Sequence, residues 1–173
     1  LKSSGTFTAR VAEITSTART ITGNVTVERW FTGGLITNRG WRLMSSPVNN
    51  TATVPSSASA MYNFTSLKTN LNITGAGSNF DASANNGPTI LFYNTATKLF
   101  AGPSDPTIAN NPIGAGFYFY FRGSRTGANK LVKSGSAYPA PETNVVGLQT
   151  GALNQQSFTY TLSNANAGFN QVG

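Results

Sequence analysis

The sequence contains no cysteine and no histidine, and only 10% of its residues are charged. Without cysteine there is no disulfide bond and no thiolate metal ligand, so the fold must be held by packing alone. The Ser-His-Asp and Cys-His catalytic arrangements and the usual zinc sites are also excluded. Ordinary soluble domains carry about 25% charged residues. A surface built mainly of hydroxyl and amide groups is typical of secreted and cell-surface β-proteins, and we expect an extracellular location.

The chain also lacks long apolar runs and has few carboxylates. No run reaches the roughly 18 apolar residues of a membrane-spanning helix. The acidic residues are Glu13, Glu28, Asp81, Asp105 and Glu142. A glycosidase needs two carboxylates about 5 to 10 Å apart, and Glu28 and Glu142 are the pair that could meet, but Glu28 is more simply a cross-strand partner of a basic residue. Isolated Asp81 and Asp105 are a weak indication of calcium, which takes several oxygen ligands. We therefore predict no enzyme, no metal and no cofactor.

The twelve lysines and arginines give the chain a formal net charge of +7. They are scattered along the sequence, at positions that include Arg10, Arg19, Arg29, Arg39, Arg42, Lys68, Lys98, Arg122, Arg125, Lys130 and Lys133. Nucleic-acid binding requires cations clustered on one face. A solvated surface is the simpler interpretation and no nucleic-acid partner is expected, with clustering in three dimensions as the alternative. Arg29 and Arg42 lie among apolar neighbours, so we expect both guanidinium groups to make ordered contacts.

The strongest structural signal is the segment 114–125, GAGFYFYFRGSR. In an extended strand its phenylalanines point to one face and its tyrosines to the other: Phe117, Phe119 and Phe121 against Tyr118 and Tyr120. A segment that is apolar on both sides predicts a central strand, with the phenylalanines in the core. The tyrosine face should lie under a loop such as residues 101–112 or at a boundary open to a ligand, because each hydroxyl needs water or a partner.

Alternating apolar residues predict further short strands and no helix. The predicted strands are residues 6–11, 21–31, 41–44, 61–64, 67–73, 89–93, 98–100, 130–133, 145–148 and 157–162, with the last two joined at Thr150 and Gly151. Long polar loops are predicted at residues 48–60, 75–88 and 101–112. This pattern indicates an all-β sandwich with jelly-roll or related Greek-key wiring, and residues 1–173 as one domain.

Three motifs resemble a recurring β-domain of large secreted surface proteins of the Bacteroidota. They are GNVTVER at residues 23–29, GWRLMSSPV at residues 40–48, and the aromatic strand that ends in Arg122-Gly-Ser-Arg125. The opening residues Leu1 to Ser3 and the residues Asn79 to Asp81 also match in place, so the similarity spans nearly the whole chain. One departure is Ser124, where the family pattern has an acidic residue.

The resemblance implies a location more than a chemistry. Proteins of this kind are typically cargo of the type IX secretion system and carry a carboxy-terminal sorting signal, and their activity is mostly unassigned. The family pattern continues beyond Gly173, so we expect this chain to be part of a longer one. The N-x-[ST] sequons at Asn24, Asn49, Asn63 and Asn72 are then incidental products of the composition.

Aromatic and basic side chains are the best candidates for a binding site. Flat aromatic faces suit sugar rings, and arginines supply hydrogen bonds. The candidate ligand-binding residues are Trp30, Trp41, Tyr118, Tyr120, Arg122 and Arg125, with Tyr62 and Tyr138 as further aromatic candidates; core packing is the alternative for each aromatic. Two functions remain open: a non-catalytic surface module in adhesion or filament assembly, whose partners are neighbouring domains or copies, and a carbohydrate-binding module appended to a secreted enzyme.

Overall fold

The structure is a computed structural model, and it describes residues 1–14, 16, 18–52, 60–163 and 170–172. In chain order its strands are β1 (Asn24–Thr32), β2 (Gly40–Ser45), β3 (Val48–Asn49), β4 (Met61–Tyr62), β5 (Ile90–Asn94), β6 (Leu99–Ala101), β7 (Asn111–Pro112), β8 (Gly116–Phe121) and β9 (Asn144–Leu153). The helical elements in these ranges are a 3-10 turn, Ile36–Asn38, and a short helix α1, Thr65–Lys68. The predicted all-β fold is confirmed.

The strands form two principal antiparallel sheets and a small third one. The orders are β1-β9-β3, β2-β8-β5-β6 and β4-β7. Within the described ranges, β5 and β6 are the only paired strands that are consecutive in the chain; elsewhere the chain passes to another sheet after each strand. Wiring of this kind is used by Greek-key and jelly-roll sandwiches. The aromatic strand β8 lies in the interior of its sheet, as its sequence predicts.

Aromatic rings join the two principal sheets. Phe117, Phe119 and Phe121 of β8 are fully buried. Phe31 of β1 stacks on Phe121 with ring centroids 4.8 Å apart and lies 5.7 Å from Phe119. Phe64 packs edge-on against Phe117 at 5.0 Å. The predicted inward face of the aromatic strand is therefore the centre of the hydrophobic core.

Several strands lie where the alternation places them. β1 begins at Asn24 within the predicted segment 21–31, β2 contains the predicted segment 41–44, and β4 occupies the start of segment 61–64. β5 and β6 form the predicted hairpin. Positive backbone φ at Lys98, in the turn before β6, is the one strained position of this hairpin.

The segment 67–73 contains helix instead of the predicted edge strand. Helix α1 ends at Lys68, and the amide of Leu71 continues the helical hydrogen-bonding pattern by donating to the carbonyl of Leu67 at 3.2 Å. Both leucines pack on β9 at Gly147, where an added Cβ atom would lie 2.9 and 3.0 Å from their Cδ1 atoms. A single turn has too few apolar positions to show a helical period, so the pattern could not reveal it.

Strand β9 is one continuous strand, and the predicted joint at Thr150 and Gly151 is wrong. Gly151 permits close approach by the neighbouring strand β3, since a Cβ atom there would lie 2.3 Å from the carbonyl oxygen of Asn49. Residues 48–49, predicted as loop, form β3 beside it. The rest of that predicted loop includes residues 53–59, which lie outside the described residues.

Three other predicted strands are wrong. Residues 6–11, 130–133 and 157–162 have no strand conformation. Phe7 is 77% exposed, so the alternation in its segment does not correspond to a buried face. Alternating apolar and polar residues indicate a half-buried strand only where another layer of the fold covers the apolar side.

The two strand arginines behave differently. Arg42 donates to the carbonyl oxygens of Trp41 and Asn38, each at 3.0 Å, as predicted. The side chain of Arg29 makes no hydrogen bond or ion pair with any described residue, so the prediction of an ordered contact does not hold for it. This side chain lines a groove of about 540 Å³ between the edges of β1 and β2.

We expect the substitution Phe119→Ala to lower the free energy of unfolding by about 3 to 5 kcal/mol, because it removes a fully buried ring and leaves a cavity. The neighbouring substitution Tyr118→Phe is the control: its ring lies on the partly exposed face, and it should change stability by less than about 1 kcal/mol. Chemical denaturation of both variants measures the difference. Equal stabilities of Phe119→Ala and the parent would mean that the core lies elsewhere.

Candidate functional site

The outer side of the four-stranded sheet carries a row of apolar and aromatic side chains, which we call the aromatic face. Strand register places Trp41 opposite Tyr120 and Leu43 opposite Tyr118. On the other side of β8, Leu91 lies opposite Tyr118, and Tyr93 pairs with Phe100 of β6. Because side chains alternate along each strand, all of them point away from the phenylalanine core. The aromatic face comprises Trp41, Leu43, Leu91, Tyr93, Phe100, Tyr118 and Tyr120.

The rings of the aromatic face contact each other, three pairs edge to face and the Tyr93–Phe100 pair at a tilted angle. Trp41 stands nearly perpendicular to Tyr120 at 5.2 Å and to Tyr118 at 6.2 Å between centroids. Phe100 meets Tyr118 at 5.3 Å and Tyr93 at 5.2 Å. These distances fall in the preferred range for aromatic pairs. The contacts hold the rings in fixed relative orientations across strands β2, β8, β5 and β6.

Much of the aromatic face is open to solvent. Trp41 is 43% exposed, Leu43 58% and Phe100 49%. The loop predicted as a cover packs elsewhere: the carbonyl of Pro106 accepts a hydrogen bond from the Phe64 amide, and the Asn110 amide donates to the carbonyl of Tyr62. An open boundary is therefore the alternative that the structure supports. Contiguous exposed apolar surface of this kind usually marks a binding site.

The carboxy-terminal segment borders one end of the aromatic face. Gly116 lies at the start of β8 on the same side as Tyr118, and the amide of Gly116 donates to the carbonyl oxygen of Gln171 at 3.0 Å. A Cβ atom at Gly116 would lie 2.8 Å from the carbonyl oxygen of Val172. Glycine at this position therefore lets residues 171–172 approach the start of β8 closely, where Val172 forms an antiparallel bridge with Ala115.

Three cations lie at the opposite end, and we call them the cationic end: Arg39, Arg122 and Lys133. The Arg122 guanidinium carbon lies 4.5 Å above the Tyr120 ring. The Arg39 guanidinium lies 4.7 Å from the Tyr138 ring centre, and the Lys133 ammonium lies 5.6 Å from the same ring. Cations at these distances are attracted to the aromatic ring faces.

Backbone carbonyls and one hydroxyl group, not carboxylates, accept the hydrogen bonds of the two arginines among the described residues. Arg39 donates to the carbonyl oxygens of Pro139 and Lys130, each at 3.1 Å. Arg122 donates to the carbonyl oxygen of Gly87 at 2.8 Å and to the hydroxyl of Thr74 at 3.2 Å. Burial lowers the pKa of both guanidinium groups, and the nearby charge of Arg39 lowers the pKa of Arg122 further. Arginine titrates so far above neutral pH that both remain cationic.

Two carboxylates are engaged in loops elsewhere. Asp81 forms an ion pair with Arg125 at 2.7 Å and accepts a hydrogen bond from the Ile73 amide. Asp105 accepts hydrogen bonds from Asn79 and from the amide and hydroxyl of Thr107. Hydrogen bonds from Thr107 hold the pKa of Asp105 below its ordinary value. These carboxylates stabilise loops and do not face the aromatic rings described above.

Glu142 pairs with a buried lysine. Its carboxylate lies 2.5 Å from the ammonium of Lys130, which is almost fully buried, and accepts a hydrogen bond from the Ser124 amide at 2.9 Å. Partial burial acts to raise the pKa of Glu142, but the bonds from Lys130 and Ser124 outweigh it and hold the pKa below its ordinary value. This pair anchors the turn that follows β8.

The structure brings together four of the six predicted site residues. Trp41, Tyr118 and Tyr120 lie on the aromatic face, and Arg122 lies against Tyr120. Trp30 instead lies on β1 in the other sheet, beside Gly5. Arg125 is held by Asp81.

Of the further aromatic candidates, Tyr62 is a core residue and Tyr138 belongs beside the cationic end. The Tyr62 ring is fully buried, and burial raises its pKa to about 12. Sequence reasoning missed Leu43, Leu91, Tyr93, Phe100 and Arg39 as members of the site. Alternation in β2, β5 and β6 could have placed the first four on one side of the sheet. The register that brings them together depends on how the strands pair, which the sequence of one strand does not show.

No group of three or more metal-ligating side chains is found in the part of the chain that the structure describes. Nor does this part contain a helix with the length and apolar character that a membrane span requires. Scans against protein-family models, curated proteins and solved structures give no match for this chain.

We expect the stability of the protein to fall as the pH drops through the acidic range, and Glu142 to contribute to the fall. A carboxylate whose folded pKa is lowered stabilises the fold above its unfolded pKa, and this contribution is lost as the pH falls through the folded pKa. Thermal unfolding at pH 7 and pH 3 should therefore show a smaller loss of melting temperature in Glu142→Gln than in the parent, because the variant has already lost the interaction at pH 7.

The control is Glu13→Gln, which replaces an exposed carboxylate that forms no ion pair with the described residues. Its melting temperatures should follow those of the parent at both pH values. An equal loss in Glu142→Gln and the parent would show that the Lys130 pair does not contribute to the pH dependence.

Proposed function

We propose that this protein is a non-catalytic extracellular module of a bacterial cell-surface or secreted protein, acting in adhesion or in surface or filament assembly. The observation that carries the proposal is the aromatic face, an exposed row of rings and leucines held in fixed positions by a well-packed core. Rigid aromatic side chains lose little conformational entropy on binding and dominate the energetics of many interfaces. Adhesion needs such a surface and no reacting group.

Support for a non-catalytic role comes from the residues that are present. The chain has no histidine or cysteine, and Asp81, Asp105 and Glu142 are bound to cations or to hydrogen-bond donors in loops. Support for the extracellular location comes from the low charge content and from the resemblance to the surface domain of the Bacteroidota. That resemblance also makes secretion by the type IX system part of the proposal.

Support for assembly with neighbouring domains or copies comes from the outer edge of β1. Among the described residues, only Leu1 hydrogen-bonds to this edge, through the carbonyl of Thr26 and the amide of Glu28. The part of the edge at Trp30 and Thr32 borders the groove beside β2. An unpaired strand edge is able to accept a further strand from another chain.

The second candidate function is a carbohydrate-binding module appended to a secreted enzyme. It is favoured by the perpendicular stacking of Trp41 on Tyr118 and Tyr120, which presents ring surface to solvent beside hydrogen-bond donors. Sugar rings bind to such surfaces through their C–H faces, while polar side chains contact their hydroxyl groups. Both candidate functions use the aromatic face for binding. They differ in the parent protein, which contains an enzyme domain only in the second case.

We expect the aromatic face to be required for binding. Binding of the parent to a glycan array and its self-association in sedimentation velocity are the two readouts, one for each kind of partner. Trp41→Ala should weaken whichever is observed by about tenfold or more, because an exposed tryptophan is a typical anchor residue. Leu43→Ala should weaken it to a smaller extent, since less apolar surface is lost.

A matched control is Leu35→Ala, because Leu35 is 64% exposed, close to the 58% of Leu43, and lies outside the aromatic face. Thermal unfolding of each variant checks that it is folded. Equal effects of Leu43→Ala and Leu35→Ala would contradict a role of the face. A parent that neither binds a glycan nor self-associates would contradict the proposed function altogether.

A further inference from the structure

The cationic end has no carboxylate partner among the described residues. The ion pairs of the described chain involve Lys68, Arg125 and Lys130, and none involves Arg39, Arg122 or Lys133. Lys130, whose carbonyl oxygen binds Arg39, is itself paired with Glu142 and so adds no net charge there. Three positive charges therefore lie next to one end of the aromatic face, and no carboxylate of the described ranges is paired with them.

Two of these charges oppose each other. Arg39 and Arg122 are close enough for the charge of one to disfavour the charge of the other, and Arg39 Nη1 lies 3.4 Å from the carbonyl oxygen of Arg122. Both are partly or largely buried, so water screens their repulsion less than it would at the surface. An anion placed at the cationic end would be attracted by both guanidinium groups and by Lys133, which is exposed and able to reach it.

The cationic end is continuous with the aromatic face through Tyr120. The Tyr120 ring contacts the edge of Trp41 on one side and the Arg122 guanidinium on another. A ligand seated on Trp41 and Tyr120 therefore has its end close to the three cations. The other members of the face, toward Leu43 and Phe100, are uncharged.

We propose that the aromatic face binds an acidic polysaccharide, a sugar polymer whose rings lie on Trp41 and Tyr120 and whose carboxylate or sulfate group lies at the cationic end. This inference rests on the proposed role of the aromatic face as the contact surface, and it specifies the charge of the partner. The chemistry is complementary at both ends: aromatic rings bind sugar faces, and guanidinium groups bind planar anions such as carboxylates.

The distribution of charge favours a sugar polymer over single-stranded nucleic acid. Proteins that bind single strands combine stacked aromatics with a positive groove that follows the backbone, because every nucleotide carries a phosphate. Among the described residues, the contacts between cations and aromatic rings involve Tyr120 and Tyr138, which lie at and beside one end of the row. A face with charge at one end suits a polymer that presents apolar ring faces between its acidic groups.

The test compares polygalacturonate with its fully methyl-esterified form, which keeps the sugar backbone and removes the negative charge. Isothermal titration calorimetry at low ionic strength should show binding of the acid form that is about tenfold or more tighter than binding of the ester. Dextran sulfate and dextran form a second pair, which shows whether sulfate serves as well as carboxylate. An oligonucleotide of single-stranded DNA is included as the competing class of ligand.

Two charge reversals locate the anion. Lys133→Glu should weaken binding of polygalacturonate by about fivefold or more, because an attractive contact becomes a repulsive one. Arg10→Glu makes the same change in net charge at an exposed position of the amino-terminal segment, and it should leave the affinity within about twofold. Both side chains are exposed, so neither variant is expected to lose the fold, which thermal unfolding checks.

Each outcome decides the inference. The inference is supported if the acid form is preferred and if Lys133→Glu, but not Arg10→Glu, weakens its binding by about fivefold or more. The dextran sulfate pair then shows whether sulfate serves as the anion as well as carboxylate. Equal binding of acid and ester overturns it and leaves the aromatic face as a neutral sugar site, provided that Trp41→Ala weakens binding as predicted above. Tighter binding of DNA, equal effects of the two charge reversals, or no binding of either acidic polymer also overturns it. In the last case, self-association that depends on Trp41 would still support the proposed function.

Discussion

The packing of Phe31 against Phe119 and Phe121 is the interaction on which the structure depends. It joins β1 of one sheet to β8 of the other, and no covalent cross-link assists it because the chain has no cysteine. Fully burying rings of this size contributes several kilocalories per mole at about 25 cal/mol per Å² of apolar surface. These contacts fix the position of one sheet relative to the other, while backbone pairing of β2, β8 and β5 sets the register of the outer face.

The same strand supplies the core and the candidate site, because its side chains alternate. The inward phenylalanines fix the backbone of β8, and the outward tyrosines are therefore held in position by the same backbone. Neighbouring strands then complete the site through register, with Trp41 beside Tyr120 and Phe100 beside Tyr118. A binding surface on a packed sheet is more rigid than one on loops, which reduces the entropy lost on binding.

The sequence predicts the parts of the molecule that follow from local alternation. The all-β fold, the central position of β8 and its buried phenylalanines are confirmed, and Trp41, Tyr118, Tyr120 and Arg122 do lie together. What it does not predict depends on distant partners. Gly151 resembles a turn residue until β3 is known to approach it, and Phe7 resembles a core residue although it is 77% exposed. Arg39 joins the cationic end only because the chain after β8 folds back onto it.

The alternation along β8 also bears on how related chains can diverge. A substitution at Phe117, Phe119 or Phe121 changes the fully buried core and is opposed by loss of stability. Leu43 and Phe100 are about half exposed, and substitutions there alter the outer surface with little effect on folding. Selection can therefore change the partner of this domain by varying its outward positions, while the inward positions of the same strands preserve the fold across its descendants.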